Sequence, residues 1–193
     1  MQTLDDLRRD AEERLREAGS NRGAQMHTPV VVTADADARI MVLREFDAEG
    51  WLLRFHTDAR APKVAVIEAQ PDVAVLFYDK QAGVQLRCRG RARIERDGPI
   101  ADAAWSSSDN YARRCYLGAA PGEEADGPTS GLPEWIEGEK PTDAQLEPAR
   151  AHFAVLLVEV DAIDCYHLAH GGHRRALVRR PGAEDGGGHW LTP

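Results

Sequence analysis

The chain has 193 residues, of which 42% are hydrophobic and 29% charged, and this fits a single globular domain over residues 1–193. Its formal net charge of −8 argues against a general nucleic-acid binder, because such proteins need a net attraction to the phosphate backbone. The charged N-terminus lacks a signal-peptide core, and no apolar run approaches the roughly 20 residues that cross a bilayer, so we expect a cytoplasmic protein without a membrane partner.

The first predicted element is an amphipathic helix within residues 1–20. Thr3 suits its N-terminus, and Gly19 supplies a stop. Apolar residues recur there at helical spacing: Leu4, Leu7, Ala11, Leu15 and Ala18. A β-branched run within residues 26–33 then predicts the first strand.

Strand signals are densest between Arg39 and Arg93. Apolar runs at residues 40–43 and 51–55 flank a polar loop that ends in Gly50, and this pattern predicts a β-hairpin. The next signals predict a short helix followed by two further strands.

Pro62 opens this short helix and Pro71 closes it. Strands are predicted at residues 73–78 and 84–94. The second strand alternates between small or apolar residues and polar ones, mostly arginine. One face of this strand is therefore predicted to lie in the core, and the other carries positive charge.

The C-terminal half mixes helix, loop and strand. Residues 100–116 are predicted to be mainly helical, residues 152–160 and 174–180 to be strands, and residues 161–170 to change direction. Residues 117–148 are rich in glycine, proline and acidic residues and predict a long loop, which is either partly ordered near an active site or a surface insertion.

Together these elements predict a mainly β (α+β) fold with peripheral helices. Roughly six to eight strands would form a mostly antiparallel sheet, and too few helices accompany them to cover an open sheet. Closure of the sheet into a barrel is the expected consequence.

Five short pieces carry a resemblance to a known family: Arg39-Ile-Met-Val-Leu-Arg44, Phe55-His-Thr57, Lys63, Leu76-Phe-Tyr78, and Val84-Gln85 with Gly90-Arg-Ala92. In order and spacing they resemble the flavin-binding core of the pyridoxamine 5'-phosphate oxidase-like family. The resemblance implies an antiparallel, Greek-key FMN-binding split barrel. It also implies a homodimer with FMN in a cleft between the subunits.

By this resemblance, two groups of residues contact FMN in the family. Side chains at Arg39, Arg44, Thr57, Lys63 and Arg175, together with the backbone at Val42 and Leu43, would do so from one chain, and Gln85 would reach the cofactor from the partner subunit. These residue types suit FMN, since its phosphate requires cations and hydroxyl or backbone donors.

The resemblance also gives candidates on the substrate side. Tyr111, Arg113, Arg114 and His173 are the candidate ligands of a small-molecule substrate. The flavin ring performs the redox step in this family, so no acid or base is required; His173 and Arg175 are the candidate catalytic residues.

Several positions depart from the family pattern. Ala61-Pro62 stand where members carry Ser-Arg ahead of the lysine, and Gly171 stands where they carry a substrate-side arginine. Ser107, Tyr111 and Cys115 stand opposite the tyrosine, arginine and serine that grip a substrate phosphate. These departures weaken the prediction of pyridoxine 5'-phosphate oxidation more than the prediction of flavin binding.

Three functional hypotheses follow. The first is an FMN-dependent oxidoreductase acting on an unidentified small substrate, and the second is a true pyridoxamine/pyridoxine 5'-phosphate oxidase in vitamin B6 metabolism. The third is a non-enzymatic flavin, haem or F420 binding protein, for which His167, His170 and His173 would serve haem. Gly171 and Gly172 interrupt this histidine series, so we predict no metal site.

Overall fold

The computed structural model describes residues 3–180, 182 and 187–193, and within them nine strands form one sheet. The strands are β1 Val30–Val32, β2 Ala38–Ile40, β3 Leu43–Asp47, β4 Leu52–Asp58, β5 Asp72–Asp79, β6 Val84–Glu95, β7 Phe153–His167, β8 Arg174–Arg179 and β9 Gly188–Leu191. The helices are α1 Leu4–Ser20, α2 Pro62–Ala69, α3 Pro99–Ser106, α4 Asn110–Arg113 and α5 Asp143–Leu146, and short 3₁₀ segments cover Arg114–Leu117, Glu134–Ile136 and Glu147–His152.

Every neighbouring pair of strands is antiparallel, and the main order is β2-β1-β5-β6-β7-β4-β3. Strand β7 pairs with β6 along one edge, but its other edge is shared between two partners. Residues 153–159 pair with β4, and residues 162–167 pair with β8, which in turn pairs with β9. This curled, branched sheet with peripheral helices confirms the predicted mainly β, antiparallel split-barrel fold.

The long strand β7 corrects the prediction that residues 161–170 change direction. Its first half is buried on both faces, against the main core on one side and a cluster containing Ala101, Ala104 and Tyr116 on the other. The strand continues to His167 because residues 162–167 pair with both β6 and β8, and its buried Asp164 is neutralised by Arg87 on β6 and Arg175 on β8.

The predicted strand at residues 40–43 is also wrong, because the chain breaks between β2 and β3. The N–H of Met41 donates to the carbonyl of Pro29, and the N–H of Leu43 donates to that of His27, each at 3.0 Å. Residues before β1 therefore hold this segment, and the predicted hairpin forms between β3 and β4 instead.

Helix α1 confirms the prediction for residues 1–20, of which residues 1 and 2 lie outside the described part. Thr3 and Asp6 form a capping box. Leu7, Ala11, Leu15 and Ala18 face the core, as their spacing predicts. The indole N–H of the buried Trp51 donates to Glu12 Oε1 at 3.0 Å and joins the helix to the hairpin.

The predicted helix at residues 100–116 is divided into α3, α4 and a 3₁₀ turn. The loop 117–148 contains no strand, and its short helical turns are tied to the preceding segment. Asn110 Nδ2 donates to the carbonyl of Pro141 at 2.9 Å, and Arg114 Nη1 donates to that of Glu139 at 2.7 Å. No helix in the described residues is long and apolar enough to cross a membrane.

Candidate functional site

A cavity of about 520 Å³ lies where the break after β2, the end of β4, the start of α2 and the segment 108–121 meet. Five residues with a predicted cofactor role line this cavity: Arg39, Val42, Arg44, Thr57 and Lys63. They come from three strands or strand ends and one helix, so the tertiary fold brings them together.

Arg39 is held in place by its own hairpin. Its guanidinium donates to Thr33 Oγ1 from both terminal nitrogens at 3.0 Å, and it forms an ion pair with Asp37. The side chain is therefore ordered before any ligand arrives, but part of its charge is already compensated.

Arg44 and Lys63 are the cavity cations without such compensation. Among the described residues, neither side chain has a hydrogen bond or ion pair, and Nε of Arg44 is buried without a partner. Burial lowers the pKa of Lys63, and the positive charge of Arg39 lowers it further. Such a pair of half-buried cations favours an anion, which would supply the missing interactions.

Thr57 and Asp58 end strand β4 at the cavity and are both buried. Asp58 is the acidic member of the lining, and Arg60 neutralises it through an ion pair of 2.7 Å. Helix α2 then begins at Pro62, and its N-cap residue Ala61 makes no side-chain capping hydrogen bond. Lys63 is the residue of α2 that lines the cavity.

His56 is a cavity residue that the sequence reasoning did not select. Burial lowers the pKa of His56 to about 4, and the nearby charges of Arg44 and Arg54 add to this effect, so the ring is neutral near pH 7. Its Nε2 is buried without a partner among the described residues, while the ring meets Phe153 edge-on at 5.0 Å. The position of His56 inside the matched piece Phe55-His-Thr57 could have identified it as a candidate from the sequence.

The segment 108–121 supplies uncharged lining residues: Ser108, Tyr111, Ala112, Cys115, Tyr116 and Pro121. Of these, the sequence selected Tyr111 as a candidate substrate ligand. Cys115 is an exposed residue whose thiol donates to the carbonyl of Ala112 at 3.0 Å, and partial desolvation of this thiol by its neighbours raises the pKa of Cys115. This thiol is therefore protonated near neutral pH.

Arg113 and Arg114 lie outside this cavity lining, although they were candidate substrate ligands. Arg113 Nη2 donates to the carbonyl of Ser106 at 2.8 Å, and its guanidinium lies 5.1 Å from the centre of the Trp105 ring. Arg114 bonds to the loop and lies over the Tyr111 ring. Both arginines thus hold structure together.

Leu43 and Gln85 also lie away from the cavity. Leu43 is fully buried in the core, and its N–H is already bonded to His27. Gln85 lies on the outer face of β6 in a cross-strand row with Tyr78 on β5 and Tyr166 on β7.

Arg175 continues this row on β8, opposite Tyr166. Asp164 accepts two hydrogen bonds from it, from Nε at 3.1 Å and Nη2 at 2.9 Å. His173 lies beside a separate cavity of about 390 Å³ lined also by Leu168 and His170. Within one chain, the two candidate catalytic residues are therefore not lining residues of the larger cavity.

The described residues contain no group of three or more histidine, cysteine or acidic side chains arranged to hold a metal ion. His167 instead lies with Nε2 3.7 Å from Asp10 Oδ2 on α1.

Comparison with known proteins matches part of this chain to one family model. Residues 8–96 match the family model described as pyridoxamine 5'-phosphate oxidase, FMN-binding domain, which confirms the resemblance. A pyridoxine/pyridoxamine 5'-phosphate oxidase of Caulobacter vibrioides is 33% identical over 109 residues, which are 54% of this chain and 46% of that protein. The chain thus spans about half the length of this curated relative.

Solved structures show the same fold over nearly the whole chain. A pyridoxamine 5'-phosphate oxidase-related, FMN-binding protein of Nostoc punctiforme superposes with a TM-score of 0.70 at 21% identity, covering 96% of this chain and 97% of that one. PhzG of Burkholderia lata, solved with tetrahydrophenazine-1-carboxylic acid, gives 0.66 at 15% identity, covering 96% and 91%.

Proposed function

We propose that this chain, whose residues 8–96 match the FMN-binding domain of the pyridoxamine 5'-phosphate oxidase family, is an FMN-dependent oxidoreductase acting on a small organic substrate. In this proposal residues 1–193 form one domain, and the cavity above is its FMN site.

The carrying observation is the convergence of Arg39, Arg44 and Lys63 with the hydroxyl of Thr57 around one cavity. A phosphate dianion is bound best by charge-assisted hydrogen bonds from cations and hydroxyl groups. Nε of Arg44 and the ammonium of Lys63, neither of which has a partner in the described part of the chain, supply such donors. The residues of the cavity therefore fit a phosphorylated flavin.

Each residue has a definite part in this arrangement. Arg44 and Lys63 would hold the phosphate, Arg39 is preoriented by Thr33 for the same task, and the half-buried Val42 would contact the ring. FMN, when bound, supplies a ring that exchanges two electrons with a substrate. The chain binds this ring, orients it and shields it from water.

We also propose that the working unit is a homodimer. Gln85 and Arg175 lie in one row on the outer face of the sheet, distant in sequence from the cavity pieces. If a second copy packed on this face, the side chains of Gln85 and Arg175 would reach the cavity of that second copy. The exposed Tyr78 in the same row suits such an interface, since large aromatic residues are enriched in contacts between proteins.

A true pyridoxamine/pyridoxine 5'-phosphate oxidase is the second candidate, and the Caulobacter relative favours it. The engagement of Arg113 with Trp105 and of Arg114 with the loop disfavours it, because neither arginine lines the cavity.

The visible absorption spectrum of the purified chain tests the proposal, followed by identification of the compound that denaturation releases. FMN at about one per chain is the expected result. A colourless chain that also fails to bind added FMN would refute the proposal, and a haem spectrum would favour the histidine-based alternative. Oxygen-dependent turnover of pyridoxamine 5'-phosphate would identify the second candidate.

A further inference from the structure

The cavity is lined by two kinds of surface. Strand ends and α2 contribute its ionised residues, which are the cations Arg39, Arg44 and Lys63 and the carboxylate of Asp58. The segment 108–121 contributes hydroxyl, thiol and apolar groups, and none of its lining residues is charged near pH 7. We call the surface made by lining residues 108–121 the neutral wall.

Cationic side chains adjacent to the neutral wall already make contacts that stabilise the fold. Arg113 is only 11% exposed and contacts Asp143 at 3.4 Å in addition to Trp105. Lys140 bonds to Asp109 at 3.0 Å. Turning any of these side chains toward the cavity would break contacts that hold the loop 117–148 to α4.

The ionised residues of the cavity balance one phosphate dianion. Asp37 compensates Arg39, and Arg60 compensates Asp58, so within the part of the chain that the structure describes Arg44 and Lys63 are left as two unpaired positive charges. Burial keeps the ring of His56 uncharged near neutral pH by lowering its pKa. Among the described residues of one chain, no further unpaired cation lines the cavity, so a second dianion there would be desolvated without a partner from that chain and repelled by the first.

We infer that the substrate carries no phosphate group and is a largely apolar organic molecule that lies against the neutral wall at Tyr111, Ala112 and Cys115. This inference rests on the proposed function, since it assigns the two unpaired cations to the phosphate of FMN. Tyr111 is 50% exposed, with Arg114 at 5.1 Å and Lys140 at 5.7 Å from the centre of its ring, and the part of the ring that stays exposed suits contact with a flat, unsaturated substrate.

The test uses the FMN-loaded chain, with its FMN content measured by absorbance, and two probes that differ by one phosphate group. These are pyridoxamine and pyridoxamine 5'-phosphate, each titrated by calorimetry near pH 7 at constant salt. The wild-type chain should bind the phosphorylated probe no more tightly than the other. Tyr111→Arg and, independently, Ala112→Arg should each tighten binding of the phosphorylated probe by about tenfold, because each adds a cation to the neutral wall.

The matched control is Ala103→Arg, which adds the same charge on the exposed face of α3 outside the cavity. It should leave the ratio of the two affinities unchanged. The wild-type chain could bind neither probe. In that case, binding of the phosphorylated probe by Tyr111→Arg or Ala112→Arg supports the inference. If neither variant binds this probe, the inference is overturned.

A preference of the wild-type chain for the phosphorylated probe by about tenfold or more would also overturn it. Loss of that preference in Arg113→Ala or Arg114→Ala would identify the missed phosphate ligand. A chain that retains no FMN overturns the proposed function and this inference together. If the chain retains FMN but prefers the phosphorylated probe, only this inference is overturned.

Discussion

Arg60 holds the carboxylate of Asp58 through two side-chain hydrogen bonds, from Nε to Oδ1 at 3.0 Å and from Nη2 to Oδ2 at 2.7 Å. Its remaining terminal nitrogen donates to the carbonyl of Gly118 at 3.1 Å. One side chain thus neutralises the carboxylate of the cavity and ties the start of the long loop to the same place.

The substitution Arg60→Ala should weaken FMN retention by about tenfold, because it leaves the charge of Asp58 to repel the phosphate. Asp58→Asn in the same chain should restore most of the loss. Equilibrium dialysis against FMN measures both. Arg150→Ala is the matched control, since Arg150 likewise pairs with a carboxylate, that of Asp102, and with a backbone carbonyl, but outside the cavity. Equal FMN affinity in Arg60→Ala and the wild-type chain would contradict the prediction.

Lys63→Ala should lower FMN affinity by at least about tenfold, since it removes one of two unpaired cations. Lys63→Arg should retain most of the affinity, and Lys80→Ala, which removes an exposed lysine from the β5–β6 turn, should have no effect. Flavin fluorescence on titration measures all three affinities. Unchanged affinity in Lys63→Ala would remove Lys63 from the phosphate site.

Mixed dimers test whether one site uses residues of two chains. Lys63→Ala and Arg175→Ala chains should each retain little FMN alone. If Arg175 acts on the partner's cavity, a dimer with one chain of each kind has one intact site and one site with both defects. Co-expression with two different affinity tags isolates this dimer. FMN at about half the wild-type content is expected, and no recovery would place Arg175 outside a shared site.

His56 should make the stability of the FMN-free chain depend on pH. Its pKa is about 4 in the fold against an ordinary value of 6.5, so the unfolded chain binds more protons between these values. The free energy of unfolding should therefore fall as the pH is lowered through this window. Urea titrations measure the free energy of unfolding at about pH 5 and about pH 7. The difference between these two free energies should be smaller for His56→Gln than for the wild-type chain. Equal differences would show that His56 does not titrate in this way.

Glu12→Ala should destabilise the chain by about 1–3 kcal/mol, because the indole N–H of the fully buried Trp51 loses its acceptor. Glu12→Gln keeps an acceptor oxygen and should lose less. Glu13→Ala is the control on the next, exposed position of α1. Midpoints of urea unfolding compare the variants, and equal midpoints for Glu12→Ala and Glu13→Ala would refute the role of this bond.

The sequence by itself determined the elements whose signals are local. Helix α1 follows from the spacing of Leu7, Ala11 and Leu15, and β6 follows from its alternation, since a regular helix or strand presents residues to one face at a fixed period. The resemblance of the matched pieces to a family likewise predicted that Arg39, Arg44, Thr57 and Lys63 would meet. Local patterns do not predict this, because β2 and β3 lie at opposite ends of the strand order and Lys63 lies on α2.

Only the tertiary structure decided where strands end and which side chains face the cavity. The carbonyls of His27 and Pro29 break the run at residues 40–43, and no local pattern encodes a hydrogen bond to them. The orientation of the Arg113 and Arg114 side chains could not be predicted from the sequence either, since it depends on contacts with Trp105 and with the loop that follows. The tertiary structure therefore decides which wall of the cavity is neutral, because that property depends on partners distant in the sequence.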